Sequence, residues 1–315
     1  MSHVIEPMPE KHCPTASEGD ASAETIELNA KAPLLILGVA IIFVIVVYLI
    51  PKDRPTPLSD APAPPSVTDG LTVQIPLSAL GKQTPPVSIS ADKLSAAELG
   101  DPIAQFNVGL MYDNGIVVTQ NYAEAVRWYR LSAAQGNADA QAFLGSMYYD
   151  GKGVAEDFVE AAKWLRLAAN EGNTFAQYTL GLMYYYGKGV GQDLNEALKW
   201  HQVAANHGYA LAQYNLGVMY EEGHGVAQDF MEAVKWYRLA ADQGQAKAQH
   251  NLGLMYAKGE GLAQDVVEAH KWLELAANSG DENSRHSLEI LEQQMTQEQI
   301  SEAHRRFADW VKAKK

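Results

Sequence analysis

Leu180-Gly181-Leu182-Met183-Tyr184-Tyr185-Tyr186-Gly187-Lys188-Gly189-Val190-Gly191-Gln192-Asp193-Leu194-Asn195-Glu196-Ala197-Leu198-Lys199-Trp200 contains the end of one helical pattern, a glycine turn and the start of another. Ala176, Leu180, Met183 and Tyr184 lie at i, i+4, i+7 and i+8, the apolar stripe of an α-helix. Gly187 and Gly189 end that helix, because glycine tolerates left-handed backbone geometry. Asp193, with Glu196 three residues on, opens the second helix as a capping box. Ala197, Trp200 and Ala204 share one face of it, so an indole lies beside small residues that let a neighbouring helix approach. Gly181, in mid-helix, costs about 1 kcal/mol relative to alanine in isolation. Its presence predicts a close helix contact that offsets the cost.

The same unit recurs in register. Trp128, Trp164, Trp200, Trp236 and Trp272 are spaced by 36 residues, as are Gly109, Gly145, Gly181, Gly217 and Gly253, and Tyr112, Tyr148, Tyr184, Tyr220 and Tyr256. The cap pairs recur as Asn121 with Glu124, Asp157 with Glu160, Asp229 with Glu232 and Asp265 with Glu268. Such a period marks a solenoid, whose units stack into long surfaces suited to binding macromolecules and lack an enclosed reaction cleft. The predicted fold is therefore all-α, an α-solenoid of five 36-residue helix pairs. At its ends, residues 90–99 read as the close of a second helix and residues 281–295 as a first helix without the Gly-Met-Tyr core. A final helix opened by Thr296 and Gln299 then turns Ile300, Phe307 and Trp310 inward as a cap.

The stretches Leu180-Gly181-Leu182-Met183-Tyr184, Gly187-Lys188-Gly189-Val190, Gln192-Asp193, Glu196-Ala197, Lys199-Trp200 and Ala204-Ala205 resemble the Sel-one-like repeat, a relative of the tetratricopeptide repeat. The resemblance covers about residues 100–290. It implies a right-handed solenoid of antiparallel helix pairs, acting as an adaptor in protein assembly, envelope functions or signalling, and it implies no substrate. The first unit departs from the pattern, with Val117 where Gly153, Gly189, Gly225 and Gly261 stand, which predicts a different inter-helix loop there.

Ahead of the repeats, residues 1–31 carry six acids against two lysines and few large apolar groups, and read as a disordered acidic tail. Residues 32–51 are uncharged and almost wholly apolar, and about 20 such residues match a hydrocarbon layer of about 30 Å. They read as one transmembrane helix, uncleaved because the preceding stretch is long and acidic and no small-residue cleavage site follows. Residues 52–89 form a proline-rich linker, a semi-rigid spacer. Residues 90–295 form the solenoid and 296–315 the capping helix. Lys31 on one flank and Lys52 with Arg54 on the other slightly favour a cytoplasmic C-terminal side, whereas an N-terminal anchor with a spacer suits a bacterial inner-membrane protein whose repeats lie in the periplasm. Both placements stay open.

The repeat region from residue 91 has 19 Lys and Arg against 29 Asp and Glu, which argues against nucleic acid as a partner. Cys13 is the sole cysteine, so one chain can form neither a disulfide nor a thiolate cluster. Lys152 and Lys188, each between two glycines, lack the Ser or Thr of a phosphate-binding loop and read as inter-helix turns. His201, His207, His224, His250 and His270 fall at non-equivalent positions without tight ligand spacing, and read as surface polar residues. Neither a metal nor a cofactor is expected. Glu160 with Lys163 and Glu232 with Lys235 fit solvated helix pairs.

Opposite the first-helix core stripe fall Tyr178, Leu182 and Tyr185 with Tyr186 beside them, Tyr214 and Val218 in the next unit and Tyr149 in the previous one, bordered by Glu221 and Glu222. An aromatic groove with an acidic edge suits a peptide bearing apolar and basic side chains. The competing reading is that these tyrosines pack between stacked helices. The expected function is a membrane-anchored, non-enzymatic scaffold or adaptor binding a protein or peptide partner on its concave face. The alternative is a carbohydrate- or cell-wall-binding accessory protein of the envelope.

Overall fold

In the computed structural model residues 91–314 are described, and they contain thirteen α-helices and no strand. The expected tail, membrane span and linker lie outside these residues. Among the described helices none is long and apolar enough to cross a membrane. A short α1 (Ala91–Glu98) precedes five pairs: α2 (Pro102–Asn114) with α3 (Tyr122–Ala134), α4 (Ala138–Asp150) with α5 (Phe158–Asn170), α6 (Thr174–Tyr186) with α7 (Leu194–Asn206), α8 (Ala210–Glu222) with α9 (Phe230–Asp242), and α10 (Ala246–Lys258) with α11 (Val266–Asn278). Then come α12 (Glu282–Glu292) and α13 (Gln297–Ala313).

Each pair packs internally, and each second helix packs in turn on the first helix of the next pair. The apolar clusters therefore straddle unit boundaries. One joins Ala161, Leu165 and Ala169 of α5 to Ala176, Leu180 and Met183 of α6. At the C-terminal end, Phe307, Trp310 and Val311 of α13 pack against the cluster containing Trp272, with the Trp272 and Trp310 ring centroids 6.0 Å apart.

The seat of each contact is the mid-helix glycine. A Cβ on Gly181 would lie 2.8 Å from the His201 ring, and on Gly217 2.5 Å from Tyr237. The residue that fills this seat is Tyr129, Leu165, His201, Tyr237 or Leu273, one position past each tryptophan, and all five are sealed from solvent. The tryptophans are less uniform than the core reading predicts: Trp128, Trp236 and Trp272 are buried, whereas Trp164 and Trp200 are half-buried. One residue along a helix is a rotation of about 100°, so the indole reaches the edge of the interface. Trp236, for instance, packs against Tyr178, Ala204 and Ala205 of the preceding unit.

The second-helix caps correct the expected capping boxes in one half. Asn121, Asp157, Asp193, Asp229 and Asp265 do accept the backbone N–H three residues on. Their own N–H groups, however, donate to the carbonyls of Tyr112, Tyr148, Tyr184, Tyr220 and Tyr256 in the partner helix. With that donor satisfied, the glutamates turn outward to a base three residues on, as Glu160 does to Lys163 and Glu196 to Lys199. The full reciprocal box is made at Thr296 and Gln299.

Gly187 ends α6 in left-handed geometry, φ 68°. Gly189 serves a different purpose from the helix stop expected of it. Its Cβ would lie 2.0 Å from the Phe158 carbonyl oxygen, at the start of the preceding unit's second helix. Gly153, Gly225 and Gly261 approach Tyr122, Leu194 and Phe230 in the same way. Val117 adopts the same left-handed backbone, φ 74°, so the first loop keeps the common conformation rather than the different one expected. The first unit has no complete predecessor to approach.

A glutamine ladder, missed by pattern reading, ties the units together. Gln105, Gln141, Gln177, Gln213 and Gln249 each donate Nε2–H to a carbonyl eight residues back, of Ala97, Ala133, Ala169, Ala205 and Ala241, at 3.1–3.2 Å. Those carbonyls lie in the last turns of helices and also accept the N–H of Gly100, Gly136, Gly172, Gly208 and Gly244, so the glutamine is a second donor to each.

Candidate partner-binding site

Two first helices from consecutive units, α6 and α8, carry most of the tyrosine face. Asn173 caps α6 by accepting Ala176 N–H at 2.9 Å. The equivalent Tyr209 makes no such cap on α8; its ring lies 5.2 Å from that of Tyr178 instead. Tyr178, Tyr185 and Tyr149 are buried, whereas Leu182, Tyr186, Tyr214, Glu221 and Glu222 are half-buried.

Each buried tyrosine has a specific neighbour. The Tyr178 ring sits 5.6 Å from His201. Tyr149 meets Phe158 edge-on at 5.1 Å, and the Lys188 ammonium lies 5.3 Å from the Tyr149 ring centroid. Lys188, read as part of a turn, thus also caps an aromatic pair. Tyr185 lies 5.3 Å from Tyr186, and its hydroxyl is 2.8 Å from His224 Nδ1, which in turn is 3.0 Å from Glu222 Oε2. The Tyr237 hydroxyl donates to Glu221 Oε2 at 2.6 Å and its ring lies 5.9 Å from Tyr214.

Burial pushes every one of these phenols upward. Tyr149 reaches about 12, with Asp150 and Tyr186 adding to the effect. Tyr178, Tyr185 and Tyr214 are raised further, by desolvation first and then by phenol neighbours or by the Glu221 and Glu222 carboxylates. Tyr186 is an electrostatic neighbour of Tyr149, Tyr178, Tyr185 and Tyr214, which places it at the middle of the set. At neutral pH the phenols stay protonated. Protonated phenols thus lie beside the Glu221 and Glu222 carboxylates.

Sequence reading selected the rings and the two glutamates but missed the residues that hold them: Tyr209, His224, Phe158 and Tyr237. A signal for the last was present, since Asp113 and Tyr129 stand in register with Glu221 and Tyr237 and make the same bond, at 3.0 Å. Also missed is a second ladder. Arg130, Arg166 and Arg238 donate to the hydroxyls of Tyr148, Tyr184 and Tyr256 in the following unit. It is interrupted where Gln202 replaces the arginine.

The histidines require correction. His201 is only 1% exposed, and His250 and His270 are also buried, so these three are interior groups and not the surface residues expected from sequence. Each fills a site within the helix stack, where repeat position alone does not reveal how close the next element comes. His207 is exposed and His224 half-buried.

The Sel1 repeat pattern matches residues 102–137, 138–173, 174–209, 210–245 and 246–281. No curated protein matches the sequence. Among solved structures, a protective antigen of uropathogenic Escherichia coli displaying an SLR fold is 36% identical, with a TM-score of 0.63 over 69% of this chain and 48% of its own. This chain thus spans about half the length of that relative. A Sel1 repeat protein from Oxalobacter formigenes is 32% identical, with a TM-score of 0.57 over 63% of this chain and 90% of its own.

Proposed function

Because the chain belongs to the Sel1 repeat family, whose members act as protein-interaction scaffolds, we propose that it is an adaptor binding a protein or peptide segment along α6 and α8. The single observation that carries this reading is the grouping of half-buried Tyr186 and Tyr214 with Glu221, Glu222 and the buried Tyr149, Tyr178 and Tyr185, with half-buried Leu182 in the Tyr178 cluster. Protonated phenols and carboxylates together suit a segment with apolar and basic side chains. The buried tyrosines support the face, and the half-buried ones are its contact groups. In this reading the solenoid is right-handed, and the face lies on its concave side. Residues 32–51 tether it to the bacterial inner membrane, with 52–89 as spacer and the repeats in the periplasm.

Affinity capture with the wild-type protein and with Tyr186→Ala and Glu222→Gln variants tests the face. A protein retained by wild type and lost by both variants supports it. Equal retention of every captured protein by all three, or binding to glycans alone, refutes it. Protease treatment of intact spheroplasts tests placement: digestion of the repeats puts them outside the membrane, and survival puts them inside.

A further inference from the structure

At the C-terminal end, away from the tyrosine face, two histidines and two glutamates converge between the last repeat and the cap. His270 and Glu274 lie at i and i+4 on α11, hence on one face of that helix. His304 reaches the same place from α13, and Glu292 lies at the end of α12. His270 is completely buried. Its Nε2 is 2.8 Å from Glu292 Oε1. That bond assigns the ring proton to Nε2 and leaves a lone pair on Nδ1, which has no hydrogen-bond partner among the described residues. Nδ1 faces Glu274 Oε2 at 3.7 Å, and His304 Nδ1 lies 3.2 Å from the same oxygen. Together the three ligand atoms fall within 4.8 Å of one another.

We propose that His270, Glu274 and His304 form a binding site for a divalent transition-metal ion of the zinc type, which clamps α13 to the last repeat. Zinc bonds to His nitrogen and carboxylate oxygen are about 2.0–2.2 Å long, so tetrahedral ligand atoms stand about 3.3–3.5 Å apart. The two separations to Glu274 Oε2 bracket that spacing, and His304, whose side chain is 54% exposed, is free to close the third. A buried histidine whose far nitrogen donates to a carboxylate is the outer-sphere arrangement that fixes tautomer and raises ligand basicity at zinc centres. Calcium and magnesium take oxygen donors, which two imidazoles do not supply. The local charge favours a dication, because Glu274 and Glu292 are both acidic and the nearby cations are engaged elsewhere. Arg305 pairs with Glu302, and Arg306 with Glu302, Glu268 and Asp265. The side of the site at His304 opens to solvent, giving an ion a way in and a fourth position for water.

No ligand-spacing rule reveals this set from sequence, since His304 is thirty residues beyond Glu274 and belongs to the cap rather than to a repeat. The test is a zinc titration of the full-length protein followed by calorimetry and by melting temperature, on wild type, His304→Ala, Glu274→Gln and a His3→Ala/His12→Ala control. The expected result is one saturable zinc per chain, at least tenfold weaker binding in the first two variants, and unchanged binding in the control. Zinc should raise the melting temperature of wild type and of the control alone. His304→Ala removes an exposed side chain and leaves the stack intact, and Glu274→Gln provides an independent near-isosteric check. If wild type and both site variants titrate alike, through equal binding or none, the four residues are an ion-pair cluster only and the proposal fails.

Discussion

His201 stands where Tyr129, Leu165, Tyr237 and Leu273 stand in the other units, yet no polar group answers either of its ring nitrogens among the described residues. Burial pushes its pKa down to about 3. Between that value and the ordinary value of about 6.5, the unfolded chain binds a proton that the folded chain refuses. Stability therefore falls as pH drops through this window, by up to about 1.4 kcal/mol per pH unit, and is unaffected by this group above it. His201→Leu restores the residue found at two equivalent seats. Its urea midpoint should exceed that of wild type at pH 7, by about 1–3 kcal/mol in stability, and the gap should widen towards pH 4. A constant gap across pH would show that His201 is not held neutral by burial. Val117, with φ at 74°, is a β-branched residue in left-handed geometry. Relief of that strain should make Val117→Gly more stable by about 1 kcal/mol, read from the same urea midpoints.

At the scale of elements, the turn between paired helices matters because it touches the preceding unit. Gly189 combines φ 67° with a carbonyl in the way of any side chain, whereas Gly191, two residues on, has nothing within 4 Å. Gly189→Ala should therefore destabilise the protein by about 3 kcal/mol or more, and Gly191→Ala should be neutral or stabilise it by up to about 1 kcal/mol. Denaturant titration of both separates a docking glycine from a merely flexible one. This is also where sequence reading stopped short. The turn, the caps and the close helix seat at Gly181 were legible, since each depends on a residue and its near neighbours. That Gly189 meets Phe158, that Gln177 binds the Ala169 carbonyl and that the Asp193 N–H is taken by Tyr184 depend on how helices meet. Periodicity gives the recurrence of such residues without naming their partners. The tyrosine face shows the same division: the rings were visible as a patch, but how deeply Tyr178 and Tyr185 are sunk follows from Tyr209 and His224, which the pattern left unassigned.

For the whole molecule, every helix of the five pairs is 13 residues long. That length is marginal for an isolated helix in water. The apolar residues of one unit find their contacts in the next: Leu165 and Ala169 close on Leu180, and the glutamine ladder crosses each boundary. Folding free energy thus resides largely in the interfaces, and no unit is independent of its neighbours. The end caps extend the same logic, with Trp310 and Phe307 covering the outer side of the last pair. The most direct measurement is the far-ultraviolet circular dichroism of an excised unit, residues 174–209, followed through heating beside the full-length protein. Interface-borne stability predicts little helix and no cooperative transition in the excised unit, against a sharp transition in the full-length protein. A cooperative melt of the single unit at the full-length temperature would contradict it.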